Sequence, residues 1–285
     1  MLMFGGMGGA PTLAESPAPP ASVRVVAVGD IASCTTRADE EVGALARRLE
    51  PAALLTLGDN AYPNGSPEEF ASCYDPAWGA LRNRTYPAPG NHDYGTPAAA
   101  GYFSYFGRRA PAPYYSFDIG GWHVVSLNTE VDLAAGSAQE RWLRRDLRRS
   151  KARCELLSMH RPRWAGGARG HGPSTDALWR AAYHHGVDLV LAGHEHNYQR
   201  FFRLDGHGRR DPRYGIRQIV VGTGGAALYE VGRAENRAAA NGTTYGLLHL
   251  TLRPRGYRAE FVPLNAAGFR DAPRGEACHG PRPRR

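Results

Sequence analysis

The chain has 285 residues, 42% of them hydrophobic, and a formal net charge of +8. That length can bury one large core or two modest ones, and no stretch approaches the ~18 uninterrupted apolar residues of a membrane-spanning helix. Lys151 is the only lysine, and the arginines that carry the charge are scattered apart from "RRDLRR" (Arg144 to Arg149) and "PRPRR" (Pro281 to Arg285). The first run reads as the solvated face of a helix and the second is too short for a nucleic-acid arm, so nucleic acid is not an expected partner.

Residues 1–22 hold a short apolar stretch but no basic leader region and no clear small-x-small cleavage site. Their Pro/Ala/Ser content predicts a disordered leader or the remnant of a signal peptide, with the folded domain over 23–285. From Val23 one theme recurs, an apolar run ending in a short polar cluster. The runs are "VRVVAVGD" (Val23 to Asp30), "AALLTLGDN" (Ala52 to Asn60), "TYPAPGNHD" (Thr85 to Asp93), "CELLSMH" (Cys154 to His160) and "VDLVLAGHEH" (Val187 to His196). Their continuous apolar character predicts buried strands. Helical patterns fall between them over Ala38 to Leu49, Ser137 to Arg149 and Ser174 to His185, with Ser137 and Ser174 as N-caps.

Two stretches depart from this alternation. "YYSFDIGGWHVVSLNTE" (Tyr114 to Glu130) reads as a hairpin turning at Gly120-Gly121. Beyond Tyr198 the helical patterns stop, and "YQRFFRLDG", "IRQIVVGTGG", "GLLHLTLRP" and "YRAEFVPL" read as antiparallel strands. The fold expected is one α/β domain of parallel strands with helical crossovers, on which a second sheet packs, formed late and including the hairpin. Cys34 and Cys73 fall in predicted loops, Cys154 starts a strand and Cys278 lies in an irregular tail. Cys34–Cys73 and Cys154–Cys278 are the expected pairs and imply an oxidising, extracytoplasmic or secreted setting; four buried free thiols are the alternative.

In open α/β sheets active sites gather beyond the carboxyl ends of the strands, where every polar cluster here lies. The side chains there are Asp30, Asp59, Tyr62, Asn91, His92, His160, His194 and His196. Taken singly, each fits turn chemistry, a packed ring or a satisfied polar group. Together they form a set of metal ligands too large for one ion, and two ions ~3.5–4 Å apart sharing a carboxylate would use it.

The order Asp-x-x, Gly-Asp-x-x-Tyr, Gly-Asn-His-Asp, His, Gly-His-x-His resembles the calcineurin-like metallophosphoesterases, and among them is most similar to the purple acid phosphatases, over about Val23 to Arg200. The resemblance implies a four-layer αββα sandwich of two mixed β-sheets flanked by helices, with a dinuclear metal site at the strand ends. It implies that Asp30, Tyr62 and His196 bind the first metal, that Asn91, His160 and His194 bind the second, and that Asp59 bridges. Many of these enzymes read Asp-x-His in the first motif, where this chain has Asp30-Ile31-Ala32. Tyr62 fills the gap as a phenolate, a hard donor suited to Fe(III), with Fe(II), Zn or Mn expected at the second position. His92 is the implied catalytic and substrate-binding residue at the leaving group, and His171 a second phosphate contact. A small phosphate monoester attacked in line by metal-activated hydroxide is the implied reaction. A phosphodiesterase acting on nucleotides or lipid head groups, and more remotely a non-catalytic polyanion-binding protein, are the alternatives. His123 and His249 read as structural, and His184 and His185 as cationic residues at a helix end. "VGTGG" (Val221 to Gly225) reads as a turn passing close to the site rather than a nucleotide cradle.

Overall fold

The apolar runs become strands because both of their faces are covered. The computed structural model describes residues 22–169 and 172–280. Within them β1 (Val23–Val28), β2 (Ala53–Leu57) and β3 (Thr85–Ala88) pair in parallel. The hairpin strands β4 (Tyr115–Ile119) and β5 (Trp122–Ser126) follow, then β6 (Cys154–Met159), β7 (Leu189–Ala192), β8 (Tyr198–Phe201), β9 (Arg217–Val221) and β10 (Arg237–Asn241). The last three strands are β11 (Gly246–Arg253), β12 (Gly256–Pro263) and the two-residue β13 (Glu276–Ala277). One six-stranded sheet runs β13-β12-β11-β1-β2-β3 and one seven-stranded sheet runs β10-β8-β9-β7-β6-β5-β4. Both are mixed: β11 lies antiparallel to β1, while β5, β6, β7 and β9 are mutually parallel with antiparallel β4 and β8 at their flanks.

This partition corrects the sequence expectation. The five apolar runs do not form one sheet: β1, β2 and β3 belong to the first and β6 and β7 to the second. The hairpin is not grouped with all the late strands either, since β11, β12 and β13 complete the first sheet. A strand covered on both faces carries no mark of which sheet it joins. The register Val25↔Leu250 is a contact across most of the chain.

Alternation along the strands builds three apolar layers. Val25, Ala27, Leu55, Val124, Leu156, Leu189, Leu191, Leu248 and Leu250 face one another between the sheets. Val26, Val28 and Leu54 face outward to helix Ala38–Arg48 and to the helical stretch over residues 67–84. Val125, Leu157, Val190 and Ala192 face helices Ala138–Arg149 and Asp176–His185 on the other side. The result is a helix–sheet–sheet–helix sandwich.

Local chemistry explains some of the element ends. Ser137 caps its helix by accepting from the Glu140 amide at 3.2 Å. Ser174 does not cap: it lies inside the 3-10 turn Pro173–Thr175, and Thr175 Oγ1 turns back to the Gly172 carbonyl. The helical stretch over 67–84 lies outside the expected helices and starts at a capping box formed by Ser66 and Glu69. Gly120 (φ 60°) and Gly121 (φ 82°) make the hairpin turn, a conformation closed to most side chains.

The cysteines pair as expected, Cys34 with Cys73 and Cys154 with Cys278, though Cys73 lies in the helical turn Phe70–Tyr74 rather than a loop. His123 is structural, held between Asp118 (2.7 Å) and Asp146 (2.8 Å). His185 departs from the cationic reading: burial, with His184 and two arginines nearby, pushes it down to about 4, so it sits neutral at the helix end. No helix among the described residues is long and apolar enough to cross a membrane.

Candidate metal centre

The carboxyl ends of β1, β2 and β3 meet those of β6 and β7 at one rim of the sandwich. Asp30 and Asp59 each stand two residues past a strand, His160 directly follows β6, and His194 stands two past β7. Asp30 (φ 59°), Asp59 (φ 50°) and His194 (φ 72°) all hold left-handed backbone, unusual for residues other than glycine and typical of strained functional loops. Gly58 lets the two sheets close: a Cβ there would lie 2.5 Å from His160 Nδ1. Ala32 bridges Ala61 in parallel, and the Tyr62 amide donates to the Ala32 carbonyl at 2.8 Å, so the β1 and β2 loops travel together and bring Tyr62 beside Asp30. "VGTGG" does pass close by, with the Gly224 amide on the Gly29 carbonyl and the Ala226 amide on that of Asp30.

Seven side chains converge in two groups that share one oxygen. In the first, Tyr62 Oη lies 3.1 Å from Asp30 Oδ1, 3.2 Å from Asp59 Oδ2 and 3.2 Å from His196 Nε2. In the second, His160 Nε2 lies 3.2 Å from Asp59 Oδ2, 3.1 Å from Asn91 Oδ1 and 3.1 Å from His194 Nδ1. Asp59 Oδ2 belongs to both. Asp30, Asp59 and His160 are fully or almost fully buried.

The proton count shows that the pocket fits cations. His196 Nδ1 donates to the Ala227 carbonyl at 2.7 Å and His160 Nδ1 to that of Leu57 at 2.9 Å, which turns both Nε2 atoms inward. The phenolic hydrogen of Tyr62 then faces three acceptors, and a proton on His160 Nε2 also faces three. One hydrogen serves one acceptor, whereas a cation at the middle of each group serves all four donors.

The electrostatics express the same demand for positive charge. Burial disfavours ionised Asp59, yet the charge and hydrogen bond of His160 hold it well below the carboxylate range. Burial likewise opposes protonation of His160, and Asp59 overrides it and pushes the imidazole up to about 10. A charge on the adjacent imidazole is disfavoured, because burial together with the charges of His160 and Arg161 pushes His194 far down, whereas Asp30 overrides burial at His196 and raises it. Burial and the two carboxylates push Tyr62 well above 10, so ionising its phenol calls for cationic charge next to it.

His92 stands at the rim. Its amide donates to Asp59 Oδ1 at 2.8 Å, its Nδ1 lies 2.6 Å from the Pro63 carbonyl, and its Nε2 lies 3.9 Å from Asp59 Oδ2 with the side chain about a third exposed. His171 lies outside the described residues. Other contributors were not singled out from sequence. Asp93 is fully buried and takes the Gly90 amide (2.8 Å), the Asn60 amide (3.1 Å) and Asn60 Nδ2 (2.9 Å), which pins the β2 and β3 loops together. Tyr229 stacks on His196 with centroids 4.1 Å apart, and Arg161 reaches His194 from an ion pair with Glu130. Asp93 was visible in "GNHD"; nothing in the residues around Tyr229 or Glu130 marks them.

Two sheets that bring this donor set to their shared rim define a metallophosphoesterase architecture, and the chain belongs to the calcineurin-like phosphoesterase family, whose sequence model matches residues 23–198. Among individual proteins it is 28% identical to purple acid phosphatase 15 of Arabidopsis thaliana over 243 residues, covering 71% of this chain and 45% of that protein. The chain thus spans about half the length of that relative. Among solved structures, a purple acid phosphatase from yellow lupin (Lupinus luteus) seeds superimposes with a TM-score of 0.69 at 17% identity, over 90% of this chain and 54% of that one. GAP50, the anchor in the inner membrane complex of Plasmodium, superimposes with a TM-score of 0.72 at 12% identity, over 91% and 89%. A fold shared by a phosphatase and an anchor leaves activity to be argued from the site.

Proposed function

We propose that the chain hydrolyses phosphate monoesters with two metal ions, the first held by Asp30, Asp59, Tyr62 and His196 and the second by Asp59, Asn91, His160 and His194. The observation that carries this reading is Asp59 Oδ2, within 3.2 Å of both Tyr62 Oη and His160 Nε2, which joins two four-donor groups through one oxygen. When bound, such a pair of ions supplies positive charge to the phosphate oxygens and acidifies water to a nucleophile near neutral pH. The phenolate of Tyr62 favours Fe(III) in the first group, and the imidazole-rich second group suits Fe(II), Zn or Mn.

The chain's own residues do the rest. Asp30 accepts the His194 amide through Oδ2 at 2.8 Å, leaving Oδ1 for the centre, and so ties the β1 loop to the β7 loop. With Nδ1 on the Pro63 carbonyl, His92 presents Nε2 to the open rim, where the ring in its doubly protonated form donates a proton or hydrogen bond to the departing ester oxygen. The two disulfides support a protein that folds in an oxidising, extracytoplasmic compartment.

Metal analysis of natively produced protein is the test. About two ions per chain are expected, with visible absorption that Tyr62→Phe removes while the second ion stays. Protein that turns over aryl phosphate monoesters with all metal stripped overturns the mechanism, and full ion occupancy with diester turnover alone overturns the substrate class.

A further inference from the structure

Arg161 is held more rigidly than its place on the rim of a pocket requires. Its Nε and Nη2 each meet one oxygen of Glu130 at 2.8 Å, a two-pronged clamp. Glu130 is fixed in turn: its amide donates to Asn128 Oδ1 at 2.9 Å, and Thr129 Oγ1 donates to its Oε1 at 2.9 Å. The Arg161 amide donates to that same Thr129 hydroxyl at 3.2 Å. With two nitrogens committed, Nη1 alone is aimed at the centre, 3.2 Å from His194 Nε2. The side chain is about a third exposed, and a cavity of about 730 Å3 lined by Glu130, Leu133, Arg161 and Pro173 opens beside it.

The hydrogen inventory of this contact changes with the state of His194. A neutral imidazole carries one N–H. While Nδ1 carries it and gives it to an unprotonated His160 Nε2, the His194 Nε2 accepts from Arg161 and the contact is an ordinary hydrogen bond. If His194 gives Nδ1 to a cation, its hydrogen must sit on Nε2, and two donors then face each other across 3.2 Å. Clamped by Glu130, Arg161 cannot easily turn away, so the pair is satisfied only by an acceptor seated beside both nitrogens.

Resting on the two-metal reading above, we propose that Arg161 Nη1 and His194 Nε2 form a two-donor cradle for one oxygen of the substrate's phosphoryl group, and that this cradle selects monoesters. A monoester dianion offers three non-bridging oxygens, one more than a diester. A cradle in addition to two cations gives the third oxygen its own partner, and a diester has none to place there. Because Glu130 neutralises the arginine charge, the selection is made by the direction of the hydrogen bonds rather than by general attraction for anions.

The test uses metal-loaded wild type, Arg161→Gln and Arg161→Lys, with metal content measured for each. Calorimetric titration with inorganic phosphate reads the cradle without turnover. Arg161→Gln is expected to weaken phosphate about tenfold or more, and monoester kcat/KM to fall with it, while diester kcat/KM stays within about twofold and metal content is unchanged. Arg161→Lys, which keeps the charge and loses the fork, falls between. Phosphate affinity in Arg161→Gln within about twofold of wild type overturns the cradle, as does Arg161→Lys matching wild type or a loss of bound metal that accounts for the whole effect. Wild type that binds phosphate through Arg161 but hydrolyses no ester overturns the hydrolase reading and supports the cradle; turnover with Arg161-independent phosphate binding does the reverse.

Discussion

The two sheets contribute different chemistry to one rim. The loops after β1, β2 and β3 in the first sheet supply Asp30, Asp59, Tyr62 and Asn91, which are all oxygen donors; those after β6 and β7 in the second supply His160, His194 and His196, which are all nitrogen donors. Neither sheet alone completes either group of four. Carboxylates, phenol and amide on one side and imidazoles on the other come together only when the sheets dock, so the proposed ion binding would be coupled to closure of the sandwich.

That coupling can be broken at the shared oxygen. Asp59→Ala removes a donor from both groups and is expected to cut kcat/KM by at least about 10³-fold, the scale seen when charge at a reacting centre is disorganised. Its measurement should pair turnover with metal content, and a variant with both ions and near-normal turnover would refute the bridging role. Chelation tests the coupling as stability. Each ion bound about a thousandfold above its Kd adds roughly 4 kcal/mol, so stripping both should lower Tm on the order of 10 °C in a chain of this size. An unchanged Tm would mean that the sheets dock independently of metal.

The junction can also be strained without touching a donor. Gly58→Ala sets a Cβ against the His160 ring at φ 83°, and a loss of roughly 2–4 kcal/mol is expected in chemical denaturation, with weaker metal retention. A loss below about 1 kcal/mol would show that the sheets have room to part.

The smallest effect lies away from the rim and sharpens the contrast. Burial disfavours charge on His123, but Asp146 and Asp118 raise it to about 9. A raised pKa makes the protonated form the one favoured by folding. Its contribution, about 1–3 kcal/mol, is therefore complete below an unfolded value near ~6.5 and lost as pH rises through about 9. His123→Gln should destabilise at pH ~6 and converge with wild type by pH ~10 without altering metal content. A difference that is flat with pH would assign the residue a packing role alone.

What the sequence revealed follows from locality. Strands buried on both faces need continuous apolar runs, and polar residues directly after them must lie at the strand ends, so Asp30, Asp59, Asn91, His160, His194 and His196 were legible within windows of about ten residues. Reading Ala32 against Tyr62, 30 positions apart, needed the family resemblance rather than locality. The hairpin turn was equally legible, because only residues tolerant of positive φ fit it.

Amino-acid order alone therefore determined which candidate ligands exist and that each follows a strand. Tertiary structure decided which sheet each strand joins, that oxygen and nitrogen donors arrive from opposite sides, and that Arg161, Glu130 and Tyr229 stand against them. Those outcomes depend on pairings such as β1 with β11 and Arg161 with Glu130, between segments far apart in the chain, where no periodicity or spacing records the partner.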